Sequence, residues 1–307
     1  MSVKVLLTGG SGVVGSALRT ELLEHGYDVV SPRSSEVDLS RREPTIEYFR
    51  DVSPEVVVHL AARVHGLGGH LRAQGDIYLD NILINTHVVE GARLAGARKV
   101  LAMGSTAVYS DMVRLPMSED EIWLGPPHGS EFGYAHAKRA MLAQLECYRD
   151  QYGMDFAFAI STNVYGPDDK FDEEKGHVIP SLVSRLHRAQ RDGAPFTVWG
   201  TGRATRDFLF SADAARALRL AMERHSGAIN IASGTSVTIK DAVEALTAAA
   251  DFGGEVVWDT TKPDGQAARL YDVTRLEDLG FTPRYSLQKG LADTYAWYVE
   301  NEQHVRR

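Results

Sequence analysis

Lys4-Val5-Leu6-Leu7-Thr8-Gly9-Gly10-Ser11-Gly12-Val13-Val14-Gly15 is the stretch on which the fold turns. Val3–Leu7 is short and almost wholly apolar, as a strand covered on both faces must be. The glycines at 9, 12 and 15 follow it at G-x-x-G-x-x-G spacing, and helical spacing begins at once with Ala17, Leu18, Leu22 and Leu23. A chain that leaves a strand, turns sharply and enters a helix leaves backbone N–H groups pointing outward at the helix start. Side chains there would keep a pyrophosphate away, and glycines let it approach. An isolated glycine triplet also fits an ordinary turn. The strand before it and the helix after it favour a dinucleotide site built from Gly9, Gly10, Ser11, Gly12, Val13, Val14 and Gly15.

Further apolar runs occur at Asp28–Ser31, Glu55–Leu60, Lys99–Gly104 and Phe156–Ile160, with helical stretches between them. That alternation predicts an α/β, Rossmann-type doubly wound parallel sheet. Beyond Pro167 the pattern loosens. A helix is expected around Val178–Ala189, strands at Phe196–Trp199, Phe208–Phe210 and Ala228–Ala232, and helices at Ile239–Ala250 and Leu287–Asn301. The expected division is a nucleotide-binding domain from residues 1–165 plus about 205–232. A smaller interleaved C-terminal substrate lobe would take about 166–204 plus 233–307.

Composition narrows the function. The chain has 307 residues, 44% hydrophobic and 24% charged, and 33 basic against 41 acidic side chains give a net charge of −8. This suits a folded, water-soluble protein and argues against a nucleic-acid partner or an anionic membrane surface. No run approaches 18 apolar residues, so no membrane span is expected. The single cysteine, Cys147, cannot form an internal disulfide and fits a reducing, cytoplasmic setting. The N-terminal MSVKVLL reads as a first strand and not as a signal peptide. Eleven histidines form no His-Glu-x-x-His or Cys/His cluster, so no metal is expected.

The chemistry concentrates at two places. Tyr134-Ala135-His136-Ala137-Lys138 puts a phenol and an ammonium on one helix face. A lysine beside a tyrosine favours the phenolate, which makes Tyr134 a proton donor to a carbonyl that accepts hydride. Ser105 follows the fourth strand, where ligands of such sheets bind, and its hydroxyl can hold the same carbonyl. At the end of the second strand, Val30-Ser31-Pro32-Arg33-Ser34-Ser35 offers Arg33 and hydroxyls, and no acid before Glu36. That favours the 2′-phosphate of NADP(H) over NAD, unless Arg33 is merely a solvated loop residue.

With these residues in this order, the chain resembles the extended short-chain dehydrogenase/reductases, and within them the GDP-L-fucose synthase branch. The stretches that carry the likeness are His59–Val64, Met103–Tyr109, Tyr134–Lys138, Thr162–Pro167, Gly176–Pro180, Val198–Gly202, Lys262–Gly265 and Leu270–Leu276. The resemblance implies Ser105, Tyr134 and Lys138 as the reductase triad, with Tyr134 and Lys138 also touching the cofactor. It places Asn163 and His177 facing both hexose and nicotinamide, and Leu60, Ala61 and Ala62 beside the cofactor. It puts Ser105, Thr106, Asn163, Arg185, Trp199, Arg206, Asp264 and Arg269 on a GDP- or dTDP-linked sugar. It also implies a homodimer packed through the Tyr-Lys helix, for which the spacing Met141, Leu145, Tyr148, Tyr152 is suitable. Plain core packing would explain that spacing equally well.

One departure stands out. The family carries a cysteine two residues after the serine, acting as base in two epimerisations; here Ala107 stands there. Cys147 lies farther along the Tyr-Lys helix and is expected to pack as a small buried hydrophobe. His177, the partner acid, is retained. The expected activity is therefore NADPH-dependent 4-keto reduction of a nucleotide-linked 4-keto-6-deoxyhexose. Two alternatives stay open: a 3,5-epimerase/4-reductase using another base such as His65 or Tyr165, and a non-catalytic NADP-binding regulator.

Overall fold

The computed structural model describes residues 2–64, 73–173, 176–262 and 268–306. Strand β1 (Lys4–Thr8) is followed by helix α1 (Val13–Glu24), β2 (Asp28–Val30), α2 (Arg42–Val52), β3 (Val56–His59), α3 (Gln74–Leu94), β4 (Lys99–Met103), α4 (Phe132–Tyr152) and β5 (Asp155–Ser161). With β10 (Gly227–Ile231) these strands form a six-stranded sheet in the order β10-β5-β4-β3-β1-β2, and every pairing is parallel. The chain crosses over between β2 and β3, so β1 lies between them. This is the switch point at which open α/β sheets bind ligands.

The strands are apolar because both faces are covered. Leu6, Val57, Val100, Phe156 and Phe158 join one buried cluster with residues of α2, α3 and α4. Val5, Leu7, Val58, Leu101 and Ala157 join another with α1 and α6 (Ser211–Arg224). A strand with side chains of both parities buried cannot show the two-residue alternation of a half-wet strand.

A third core lies beyond the sheet. It gathers α5 (Val178–Asp192), β7 (Phe196–Trp199), α7 (Ile239–Ala249) and α9 (Leu287–Asn301) around Phe171, Phe196, Leu246 and Tyr298. Three two-stranded sheets border it. Here β6 (Asn163–Tyr165) pairs with β9 (Phe208–Phe210), β8 (Thr205–Arg206) with β11 (Val237–Thr238), and β7 with β12 (Val256–Asp259). Strands β6, β8, β11 and β12, and the short helix α8 (Thr274–Asp278), were not foreseen. At two to five residues each they leave no periodicity to read.

One expectation about α4 changes. Cys147 is exposed, not buried. Leu145 is fully buried, and a residue two positions on lies about 200° around the helix, so it faces the opposite way. The stripe expected to face a second copy is used in part inside this chain, and Tyr152 stays 47% exposed. Met141 and Leu145 are in the core, the Tyr148 hydroxyl donates to Glu90 on α3 at 2.9 Å, and the Arg93 guanidinium sits 4.6 Å from the centre of the Tyr152 ring. Among the described residues, no helix is long and apolar enough to cross a membrane.

Candidate active site

The carboxyl edge of the sheet collects the first set of residues. The Leu60 N–H donates to the Thr8 carbonyl at 3.1 Å, which lays Leu60, Ala61 and Ala62 beside the glycine turn. The contact is close. Gly9 has φ +77°, and a Cβ there would stand 2.6 Å from the Ala61 nitrogen. A Cβ on Gly15 would strike the Gly9 carbonyl oxygen. Gly12 differs, since the nearest backbone atom to its Cβ position is the Gly9 oxygen at 3.8 Å. Space is thus kept open where α1 begins. Gly12 gives α1 no side-chain cap, and its first turn holds no acid. Open room, unclaimed N–H groups and a positive helix end suit a phosphate group, so these residues fit a dinucleotide.

Behind this edge runs a buried polar chain. Thr8 Oγ1 and His59 Nδ1 are 2.8 Å apart, His59 Nε2 and Asn85 Oδ1 are 3.0 Å apart, and Asn85 Nδ2 donates to the Ala137 carbonyl at 3.3 Å. Burial, assisted by the Lys138 charge, pushes His59 down to about 3, so it is neutral at any working pH. A neutral ring has one donor and one acceptor, and this chain uses both. It links β1 and β3 to the residue preceding Lys138. Asn81 also holds the loop after β3, bonding both the N–H and the carbonyl of Arg63.

Lys138 is fully buried and donates to the Met103 carbonyl at 2.8 Å, just before Ser105. Its Nζ lies 5.7 Å from the centre of the Tyr134 ring. Burial lowers Lys138 to about 7. Burial, and to a lesser degree the Glu131 carboxylate, raises the Tyr134 phenol above its ordinary value. The expected lowering of the phenol by the lysine is therefore not the dominant effect in this geometry. A lysine that is itself reluctant to carry charge in a dry site pulls weakly on its neighbour.

Ser105 caps the short 3₁₀ turn Thr106–Val108, its Oγ accepting from the Ala107 N–H at 3.2 Å. Arginines fix the rest of that turn. Arg139 donates to the Val108 carbonyl at 2.9 Å and to Gly125 at 2.8 Å, and Arg269 Nη1 donates to the Thr106 carbonyl at 2.8 Å. Ala107 is buried among Ile77, Tyr134 and Ala135. The start of α4 is pinned as well: Gln74 Oε1 accepts from the Gly133 N–H at 2.7 Å, and Gln74 Nε2 donates to Gly129 at 2.8 Å. The sequence reading missed Arg139, Asn81 and Gln74, which touch only backbone.

The remaining expected residues fall into separate places. Asn163 opens β6 past the end of β5 and donates to the Asp207 carbonyl at 3.2 Å. His177 is exposed and precedes α5. Asp169 lies near it with a buried carboxyl whose Oδ2 has no hydrogen-bond partner among the described residues. Arg185 and Trp199 meet, the guanidinium 4.9 Å from the indole centre, and Lys262 approaches the same indole at 5.6 Å. Arg185 and Trp199 border a cavity of about 440 Å³ together with Glu173, Arg188 and Thr197. Trp199 stays 46% exposed, which leaves an indole area available to a ligand. Arg206 lies in β8, its Nη1 donating to the Thr205 carbonyl at 2.7 Å. Arg269 goes to the serine turn, not to Trp199, with Glu131 3.8 Å away. Asp264 and His65 lie outside the described residues.

Arg33 is exposed at the end of β2, but the acid counted as distant is close. Glu36 folds back, and its carboxylate accepts the Arg33 N–H at 2.6 Å. A turn of three residues hides this from a reading by sequence distance. Among the described residues, no group of histidines, cysteines or acids could hold a metal.

Known proteins share this fold and much of this sequence. The chain is 36% identical over 304 residues to GDP-L-fucose synthase 1 of Arabidopsis thaliana, covering 98% of this chain and 94% of that one. A crystal structure of a GDP-L-fucose synthetase from Naegleria fowleri bound to NADP superposes with a TM-score of 0.91 at 29% identity, over 99% of this chain and 96% of that one. A GDP-6-OMe-4-keto-L-xylo-heptose reductase from C. jejuni gives a TM-score of 0.91 at 25% identity, over 98% of both chains. The family model for NAD dependent epimerases and dehydratases matches residues 5–232, and the chain belongs to that family.

Proposed function

We propose that the protein is an NADPH-dependent 4-ketoreductase of a GDP-linked 4-keto-6-deoxyhexose, and that it reduces C4 without inverting C3 or C5. The broader statement, a nucleotide-sugar oxidoreductase using NADP(H), rests on the GDP-L-fucose synthase relatives and on the NADP-bound neighbour. The finer one rests on a single observation: Ala107, buried against Tyr134, stands where an epimerising member needs a base. A methyl group cannot take a proton.

Bound NADPH supplies the hydride. Ser105 orients the sugar carbonyl, and Tyr134 gives its phenolic proton to the oxygen that becomes the C4 hydroxyl. Lys138 sits behind Tyr134, anchored on Met103, and supplies positive charge when the phenolate forms. Trp199 offers an indole face to the nucleotide sugar, and Arg185, Arg206 and Lys262 offer charge to its diphosphate. We place the division of labour at the domain boundaries expected from the sequence, in a cytoplasmic homodimer; the dimer rests on the resemblance alone.

The GDP-L-fucose synthase relatives also favour the second reading, a 3,5-epimerase/4-reductase with a different base. Turnover in deuterium oxide separates the two. Product without solvent deuterium at C3 and C5 supports the reductase. Deuterium there above a no-enzyme control overturns it. Ala107→Cys adds a thiol at the buried position beside Tyr134 and is expected to raise deuterium incorporation while C4 reduction continues.

A further inference from the structure

The glycine turn and the first turn of α1 hold no lysine or arginine between Thr8 and Leu18. A dinucleotide brings two phosphate charges to that place, and the helix end supplies only about half a positive charge. A cation approaches this place from the segment after α9. Residues after α9 run back along the loop 168–172. The Phe171 N–H donates to the Arg306 carbonyl at 2.9 Å, Lys170 and Arg306 form a parallel bridge, and Arg306 Nη2 donates to the Asp168 carbonyl at 2.6 Å. This fixes where the guanidinium goes. Arg306 Nη2 lies 4.0 Å from the point where a Cβ on Gly12 would stand, the same point that is otherwise open except for the Gly9 oxygen.

The side chain remains available. Arg306 is exposed, and among the described residues its guanidinium has one hydrogen-bond partner, the Asp168 carbonyl, which uses one of five N–H donors. Burial raises the neighbouring Asp169 carboxyl above its ordinary value, and the His177 and Arg306 charges only partly oppose that rise. We infer that Arg306 is a cofactor-binding residue whose guanidinium contacts the diphosphate of the dinucleotide at the Gly12 end of the glycine turn. The third core would then contribute to cofactor binding through the segment that follows α9. The inference rests on the dinucleotide reading above.

The test is equilibrium binding to the full chain, without turnover, using NADPH, NADH and adenosine 2′-monophosphate as probes. The last carries the 2′-phosphate and no diphosphate. Arg306→Ala should weaken NADPH and NADH by the same factor, about tenfold, as expected for a lost charge-assisted hydrogen bond at a solvent-accessible site. It should leave adenosine 2′-monophosphate unchanged. Arg306→Lys should recover most of the loss by keeping the charge. Arg33→Ala should show the opposite pattern, weakening NADPH and adenosine 2′-monophosphate but not NADH. Unchanged dissociation constants for both dinucleotides in Arg306→Ala overturn the inference. So does an equal loss for adenosine 2′-monophosphate, which would mean the loop had deformed. A parent protein that binds neither dinucleotide overturns the dinucleotide reading and this inference with it, whereas binding that ignores Arg306 overturns only this inference.

Discussion

Tyr134 and Trp199 are both aromatic side chains assigned to one active site, and they are held in opposite ways. Tyr134 is 8% exposed, with fully buried Lys138 one helical turn away and the serine turn fastened by Arg139 and Arg269. Trp199 is 46% exposed and carries two loosely placed cations. On the proposed function, the contrast separates chemistry from recognition. Proton transfer needs fixed geometry and a dry setting, which buried backbone contacts provide. Holding a large, hydrated sugar nucleotide needs surface area and charge that water can leave.

That division makes predictions of decreasing size. Tyr134→Phe removes the proton donor while keeping the ring in its packing, so kcat should fall about 10²–10⁴-fold with dinucleotide affinity unchanged. Near-parental turnover would end the assignment of Tyr134. Trp199→Ala removes area but no reacting group. KM for the sugar nucleotide should rise about tenfold or less with kcat nearly kept, and Trp199→Phe should fall between. A kcat loss comparable with that of Tyr134→Phe would erase the distinction between the two regions.

Cofactor choice comes next. Arg33→Ala should lower the preference for NADPH over NADH, and Glu36→Gln should raise it. Each change should be a few-fold, because both groups are exposed and water screens them. Dissociation constants of the two variants for both cofactors check this. No change in Glu36→Gln would show that its carboxylate only closes the turn.

The smallest effect concerns stability. Burial raises the Asp207 carboxyl to about 6, against the bonds it accepts from Ser233–Thr235. The native state therefore holds this proton more tightly than the unfolded chain, whose carboxyl titrates at about 3.9. Its contribution to stability is complete below that value and is lost as pH rises through 6. Asp207→Asn should leave Tm nearly unchanged at pH 4 and raise it by a few degrees at pH 8. Equal shifts at both pH values would show that the carboxyl is not titrating in this way.

The parts legible in the sequence are those that local spacing determines. The glycine turn, each valine-rich strand and the Tyr-x-x-x-Lys pair are each contained within a few residues, so strand and helix periods place their side chains. The foreseen strand at Phe196–Trp199 and helix at Leu287–Asn301 agree with the observed ends to the residue. What escaped depends on distant segments meeting. Arg269 reaches the Thr106 carbonyl across more than 160 positions, and nothing near it in sequence signals that destination. Glu36 escaped for the opposite reason, since three residues are enough for a carboxylate to double back onto Arg33. Cys147 was misplaced by treating its residue type as decisive when the helix turn decides its direction.

The placement of the only sulfhydryl has a practical consequence. Ala107 removes it from the neighbourhood of Tyr134, and Cys147 is exposed on a face of α4 that the triad does not use. Alkylating reagents such as iodoacetamide or a maleimide should attach once per chain and leave hydride transfer running. A relative that depends on a catalytic cysteine should be silenced by the same treatment. Parent protein and Ala107→Cys, treated side by side, would then carry one and two labels, and epimerisation gained by the variant should disappear with the second.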